Sequence, residues 1–196
     1  MTAVEFAVQW AIAIAQDESH GYDQINRQGP DYDCSSLVIN AFDRAGIPVK
    51  ANGATYTGNM KNAFIKSGFI NVTGSVQLKT GAGLVRGDVL LRESGHAALH
   101  IGNGQIVNAQ WNENGGITGG ETGDQTGKEI CLKGYYNSPW NVILRLPAGT
   151  VTPPEIVIPV NQPIFSGPVI GYTPEPGDES PILKVMKRYY VVNGGN

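Results

Sequence analysis

The feature that most constrains this chain is the stretch of residues 29–38, where a turn signal runs directly into an apolar helical pattern. Pro30 fixes its own φ and biases the preceding residue away from helix, so a helix here has to begin after Pro30. Asp33 has a side chain suited to accept hydrogen bonds from the first free N–H groups of a helix. The pattern predicts a helix that starts at Cys34 and stops at Gly46. Its apolar positions, at helical spacing, are Leu37, Val38, Ala41, Phe42 and Ala45.

Cys34 is the candidate nucleophile of the chain. A thiol at the start of a helix feels the positive end of the helix dipole, which favours the reactive thiolate. The alternative is a disulfide with Cys131, the other of the two cysteines, which would make Cys34 structural. Two isolated cysteines are weak evidence for a disulfide framework, and Cys131 is more simply interpreted as a small buried hydrophobic residue. We therefore predict that Cys34 is catalytic.

Composition and charge restrict the possible partners. The chain has 196 residues, 41% of them hydrophobic, which suits one domain with a core and some chain left over. A formal net charge of -3 and the lack of a basic block argue against nucleic acid as a partner. The first ten residues lack a basic region, and no run approaches the roughly 20 apolar residues that span a bilayer. We expect a protein made in the cytoplasm without a signal peptide and without membrane insertion.

Helical patterns come first along the chain and short strand patterns follow. Apolar spacing predicts helices over residues 3–15, 34–45 and 59–67. Strands are predicted near residues 69–72, 88–92, 97–101, 105–110, 129–133 and 141–146. This order predicts an α+β fold with N-terminal helices packed on a small antiparallel sheet. Residues 112–128 form a long, polar, glycine-rich segment of the kind that often carries function.

The composition changes after Leu146, where most of the 12 prolines are found. We predict a catalytic domain over residues 1–147, a Pro-rich linker or extended segment over residues 148–181, and a short tail of unassigned role over residues 182–196. Apolar residues between the prolines make the middle segment more hydrophobic than a plain linker. It is therefore a candidate for packing along the domain or for self-association.

A cysteine nucleophile needs a base, and the base needs an orienting group. Of the three histidines, His20 lies in a polar loop, whereas His96 and His100 share one face of a predicted strand. Asn108 in the next strand faces the same side if residues 102–104 form a three-residue loop, and the opposite side if the loop has two residues. We predict the three-residue loop, His96 as the base ahead of His100, and Asn108 as the orienting residue.

Three ordered motifs, taken together, resemble the NlpC/P60 cysteine peptidases and the phage-encoded peptidoglycan hydrolases that share their papain-like core. The motifs are residues 33–38, 87–91 and 96–109. Within this group, the YDCSS sequence at residues 32–36 is especially similar to phage lysins of the amidase-5 type. Later stretches that also resemble such lysins are residues 123–129, 135–136 and 139–140. The resemblance covers residues 3–146.

The resemblance implies a papain-like site. Cys34 would attack a stem-peptide carbonyl, His96 would be the base, and Asn108 would take a third position that is often histidine in this family. The backbone N–H of Cys34 would contribute to the oxyanion hole. Further candidates for substrate or oxyanion contacts are Tyr32, Asp33, Ser35 and, directly after the strand of Asn108, Trp111. Papain-like chemistry requires no metal or other cofactor, and the sequence has no recognisable zinc spacing.

The function implied is a peptidoglycan hydrolase of the phage endolysin type that forms a thioester acyl-enzyme. Two bonds remain open: the amide between N-acetylmuramic acid and L-alanine, and the γ-D-glutamyl bond to the diamino acid. Such a protein would act at the bacterial cell wall after release by a lysis system or as part of a phage particle. The alternatives are an inert wall-binding or structural phage protein, and a papain-like acyl transferase or deamidase.

Overall fold

The computed structural model of this chain describes residues 1–149. Apart from residues 148–149, the predicted Pro-rich segment and the C-terminal tail lie outside the described residues. The same is true of the self-association suggested for that segment.

The described residues form three α-helices followed by a six-stranded sheet, and every predicted helix and strand is present within two residues of its expected bounds. The helices are α1 (Ala3–Ile14), α2 (Cys34–Arg44) and α3 (Thr57–Lys66). The strands are β1 (Ile70–Asn71), β2 (Val89–Arg92), β3 (His96–Gly102), β4 (Gln105–Ala109), β5 (Ile130–Gly134) and β6 (Val142–Arg145). A short 3-10 helix, Thr73–Ser75, lies between β1 and β2. None of the described helices is long and apolar enough to cross a bilayer.

The sheet is antiparallel throughout, with the strand order β1-β6-β2-β3-β4-β5. Alternation along the strands gives it two apolar faces. One face packs against the helices, where Phe42, Phe64 and Phe69 form a cluster of ring contacts with centroids 4.8–5.7 Å apart. The other face has a smaller core of its own that includes Leu90, Ala98, Ile106, Trp140 and Ile143. The predicted α+β fold, helices on an antiparallel sheet, is confirmed.

The connection between β3 and β4 differs from the predicted three-residue loop. Gly102 pairs with Gln105, so the turn has two residues, Asn103 and Gly104, both at positive φ (52° and 66°). A bulge between His100 and Gly102 then shifts the register by one residue. Beyond the bulge, Leu99 pairs with Val107. The predicted loop length is wrong. Because of the bulge, however, Asn108 still lies on the same face of the sheet as His96, as the three-residue loop had predicted.

The Gly87-Asp88 motif has a structural role in this fold. Asp88 is fully buried and accepts two hydrogen bonds from Arg145 of β6, each 2.7 Å long. It also accepts the backbone N–H of Val85 at 2.9 Å, which closes the turn before β2. Because a buried carboxylate requires such partners, Asp88 ties the turn to the sheet.

Candidate active site

Cys34 stands at the first position of α2, which a reciprocal capping arrangement holds in place. The Asp33 carboxylate accepts the backbone N–H of Ser36 at 2.6 Å, and the backbone N–H of Asp33 donates to Ser36 Oγ at 2.9 Å. Ser35 Oγ donates to the same carboxylate at 2.9 Å. The other carboxylate oxygen is paired with Arg27 at 2.5 Å. The buried Asp33 is therefore fully partnered and fixes the direction of the helix start.

The electrostatics of the thiol differ from the expectation based on the helix dipole. Burial, followed by the charge of Asp33, raises the pKa of Cys34 to about 11. Hydrogen bonds from the backbone of Ala97 and Ser35, together with the charge of Arg27, lower this pKa by a smaller amount. Burial therefore opposes the effect expected from the helix dipole and favours the neutral thiol in the free protein.

The contact with Ala97 brings the cysteine to the sheet. Ala97 is the second residue of β3, and its backbone lowers the pKa of Cys34, which places the thiol near the end of the strand where His96 stands. Residues 34 and 96 are far apart in sequence and come together because α2 packs across β3. The structure thus gathers the predicted nucleophile and the predicted base at one end of the sheet.

His96 is held by a hydrogen-bond network on the face of the sheet away from the helices. Its Nε2 lies 2.9 Å from Asn108 Oδ1 and 3.1 Å from the Tyr136 hydroxyl. The Tyr136 hydroxyl donates to the same Asn108 oxygen at 3.0 Å and accepts from Gln110 at 3.1 Å. Because Asn108 Oδ1 can only accept, we assign the ring proton of His96 to Nε2. This tautomer leaves Nδ1 with the lone pair that a general base needs.

The His96 ring is also fixed from its flat side. Trp140 stacks on it at a centroid distance of 5.4 Å and an interplanar angle of 18°. Burial lowers the pKa of His96; the hydrogen bond with Asn108 raises it, and the charges of Arg92 and Lys133 lower it. The net shift is downward, so the neutral, basic form of the imidazole is favoured.

The other two histidines are kept away from this network by their own partners. His100 Nδ1 donates to the backbone carbonyl of Val85 at 2.9 Å, which ties β3 to the turn before β2. His20 Nδ1 is hydrogen-bonded to the carbonyl of Pro30 at 2.6 Å. These contacts favour structural roles for both residues and leave His96 as the candidate base.

The predicted substrate and oxyanion residues are placed in different environments. Asp33 and Ser35 belong to the buried cap of α2. Tyr32 points into the core, where its ring meets Trp10 edge-on with the centroids 5.5 Å apart. Trp111 is 56% exposed just beyond β4 and is thus available to a ligand. The structure therefore does not gather these four side chains around Cys34, although Asp33 and Ser35 flank it in sequence.

Three aromatic residues contribute to the site without having been predicted for it. Tyr136 and Trp140 hold His96, and their only signal in the sequence was an aromatic pattern after β5. Tyr22 is buried, and its pKa is raised to about 12, first by burial and then by the charge of Cys34. It therefore lies near the thiol, on a polar connection whose composition alone did not reveal a role.

The glycine-rich segment is anchored to the connection that carries Tyr22. Glu129 accepts the backbone N–H of Tyr22 at 2.9 Å. Asp31 accepts backbone N–H groups from both sides, at 2.8 Å from Gly21 and at 3.0 Å from Gly123. Two buried carboxylates thus join the segment to the residues leading into α2.

Both cysteines are free thiols in the structure, so the alternative of a disulfide between Cys34 and Cys131 is not realised. Cys131 lies on β5, paired with Asn108 of β4. Within residues 1–149, no group of three or more His, Cys, Asp or Glu side chains is placed to hold a metal ion.

The family of the chain follows from a match of residues 28–105 and 106–175 to the model of the endolysin-like domain. This match includes Cys34, His96, Asn108 and Tyr136 and covers most of the sequence. The chain belongs to the endolysin-like domain family, which confirms the resemblance drawn from the three motifs. No curated protein matches the sequence.

Several solved structures are similar to this chain at low identity. A hypothetical invasion protein of Mycobacterium tuberculosis has a TM-score of 0.43 and 18% identity, over 74% of this chain and 62% of that one. The P60 domain of an antigen from M. avium subspecies paratuberculosis has a TM-score of 0.44 and 18% identity, over 72% of this chain and 92% of that domain. The peptidoglycan hydrolase RipB of M. tuberculosis has a TM-score of 0.41 and 20% identity, over 73% of this chain and 66% of that one. This chain thus spans less than two thirds of the first of these proteins.

Proposed function

We propose that this protein is a peptidoglycan hydrolase in which Cys34 attacks an amide carbonyl of the stem peptide. The observation that carries the proposal is the juxtaposition of a helix-starting Cys34 with His96, which Asn108, Tyr136 and Trp140 orient. Membership of the endolysin-like domain family supports the cell wall as the substrate. A nucleophile, a base and an orienting amide are the groups that thiol hydrolysis requires.

The first half of the reaction forms the acyl-enzyme. His96 Nδ1 takes the thiol proton while Cys34 Sγ bonds to the carbonyl carbon, and the carbonyl oxygen becomes an oxyanion. The backbone N–H of Cys34, at the free start of α2, is available to donate to this oxyanion. When the tetrahedral intermediate collapses, the C–N bond breaks, the imidazolium returns its proton to the leaving amine, and a thioester remains.

The second half releases the acid. His96 Nδ1 removes a proton from a water molecule that attacks the thioester carbonyl, and collapse of the second intermediate breaks the C–S bond. The imidazolium returns its proton to the sulfur, and the carboxylic acid product loses its own proton to solvent and leaves as a carboxylate. Throughout, Asn108 Oδ1 accepts from Nε2 and stabilises the imidazolium.

The resting state is a neutral thiol beside a neutral imidazole. The pKa of Cys34 is raised to about 11 while the pKa of His96 is lowered, so proton transfer between them in the free enzyme is unfavourable. The proton therefore moves as the substrate carbonyl is attacked, and His96 acts as a general base rather than as half of a preformed ion pair.

Loss of turbidity of purified cell walls tests the proposal. We expect the wild type to clear walls and Cys34→Ser to leave them turbid, because a hydroxyl is a far weaker nucleophile in this setting. Cys131→Ser is the matched control, since it removes the other free thiol and should retain clearing. Equal clearing by Cys34→Ser and wild type would refute the nucleophile, and an inactive wild type would favour the inert alternative.

Mass spectrometry of the digested walls identifies the bond. A new amino end on L-alanine indicates the N-acetylmuramoyl-L-alanine amidase, and a new amino end on the diamino acid indicates the γ-D-glutamyl endopeptidase. Both reactions use the same thioester chemistry at Cys34, so the geometry of the reacting groups is compatible with either.

A further inference from the structure

Arg92 lies at the same end of the sheet as the reacting groups. It is the last residue of β2 and pairs directly with His96 of β3, and directly paired residues of antiparallel strands share a face. The next pair along the two strands, Leu91 with Ala97, includes the residue whose backbone lowers the pKa of Cys34. The charge of Arg92 lowers the pKa of both His96 and Tyr136, which places the guanidinium close to their rings.

Arg92 differs from the other cations around the site in having no partner. Arg27 is paired with Asp33, and Lys133 donates to Gln110 at 3.2 Å and lies 4.7 Å from the Tyr136 ring centroid. Within residues 1–149, the side chain of Arg92 has no hydrogen bond or ion pair, and its Nε is buried without an acceptor. Because no protein acceptor binds this half-buried guanidinium, its terminal N–H groups are left to an acceptor from outside the protein.

We propose that Arg92 binds a free carboxylate of the stem peptide, namely the α-carboxylate of the γ-linked D-glutamyl residue. This inference rests on the proposed function and adds a specificity determinant to it. Both candidate bonds lie within one residue of that D-glutamate, so its α-carboxylate is close to the scissile carbonyl in either reaction. A planar guanidinium can bind a carboxylate through two parallel hydrogen bonds, whereas the carboxamide found in amidated stem peptides carries no charge to pair with it.

The test compares two muropeptides that differ only in this group. Each contains N-acetylmuramic acid and a tetrapeptide, so both candidate bonds are present, and the D-glutamyl α-position is either a carboxylate or a carboxamide. We expect the wild type to show a kcat/KM at least about tenfold higher for the carboxylate, as a charge-assisted hydrogen bond predicts. Arg92→Gln should abolish this preference, and Arg92→Lys should retain part of it.

Control variants distinguish a direct contact between Arg92 and the carboxylate from a general effect of positive charge on the protein. Lys79→Gln removes a positive charge at an exposed position and should keep the full preference. Circular dichroism establishes that the Arg92 variants are folded, and Arg92→Lys preserves the charge if the glutamine variant is unstable. A preference for the carboxylate that persists in Arg92→Gln, or equal rates for both muropeptides in the wild type, would overturn the inference.

Calorimetry distinguishes a failure of this inference from a failure of the proposed function. If the wild type cleaves neither muropeptide, the proposed function fails, and binding to Cys34→Ser protein still decides the role of Arg92. The contact is supported if Cys34→Ser protein binds the carboxylate muropeptide more tightly than the carboxamide, and if this difference disappears when Arg92→Gln is combined with Cys34→Ser. Equal binding of the two muropeptides to Cys34→Ser protein contradicts it.

Discussion

At the scale of single residues, the free thiol of Cys34 has a testable titration. Its pKa is raised to about 11, so we expect the rate of alkylation by iodoacetamide to increase with pH beyond about pH 9 without levelling off. The measurement uses Cys131→Ser protein, so that only Cys34 reacts. A plateau below about pH 7 would instead indicate a thiolate paired with the imidazolium, and would contradict the general-base mechanism.

Tyr136 offers a second test, because its hydroxyl touches both His96 and Asn108. We expect Tyr136→Phe to reduce kcat/KM about tenfold while the fold is retained, since one hydrogen bond to the orienting amide is lost. Tyr135→Phe is the neighbouring control, because that hydroxyl donates to the carbonyl of Leu78, away from the site. Equal effects of the two substitutions would show that Tyr136 does not position the base.

The sequence predicted some of these residues and not others for identifiable reasons. Cys34, His96 and Asn108 lie on regular elements, so helical spacing and strand parity indicated their directions. Tyr136 lies in an irregular stretch after β5, where no periodicity relates a side chain to a face. Tyr32 is adjacent to the cap, yet its ring packs on Trp10 of α1, because the predicted turn before α2 does not by itself fix the direction of this side chain.

At the scale of elements, Asp33 at the cap of α2 affects both the stability of the fold and the reactivity of Cys34, and two substitutions distinguish these effects. Asp33→Ala removes the acceptor for Ser36 and should cost about 1–2 kcal/mol of unfolding free energy. Asp33→Asn keeps a cap oxygen but removes the charge that raises the pKa of Cys34, so the thiol should alkylate faster at a given pH. Urea denaturation and alkylation rates measure the two effects. Equal stability of both variants would rule out the cap as the stabilising element.

The hairpin of β3 and β4 shows the limit of reasoning from loop length. Asn103 and Gly104 occupy the left-handed region that a two-residue turn of this type requires, and both are residues that tolerate it. That turn alone would have directed Asn108 away from His96. The bulge after His100 returns Asn108 to the face of His96, and no sequence signal had indicated that bulge.

At the scale of the whole molecule, two loops meet with no space between their backbones. A Cβ on Gly21 would come within 1.9 Å of the carbonyl oxygen of Gly123. We expect Gly21→Ala to destabilise the fold by about 1–3 kcal/mol and to lower activity, because Tyr22 moves with the displaced backbone. Gly74→Ala is the matched control, since a Cβ there meets nothing within 4 Å. Urea denaturation decides, and equal stabilities would contradict the tight approach.

The domain boundary predicted near residue 147 remains a prediction. The described fold ends its last strand at Arg145, while the endolysin-like match continues to residue 175. Composition indicated where the chain changes character, but it does not tell which of the following residues belong to the family domain.

Because Trp140 stacks on His96, its fluorescence should report the protonation state of the imidazole. A protonated imidazole accepts an electron from excited indole, so emission from Trp140 should fall as His96 gains its proton. In protein with Trp10→Phe and Trp111→Phe, acid titration should show a quenching step centred below the ordinary histidine pKa of 6.5. His96→Gln should remove that step, and its persistence would assign the quenching to another group. Fluorescence would then report the protonation of the base in real time, without a substrate.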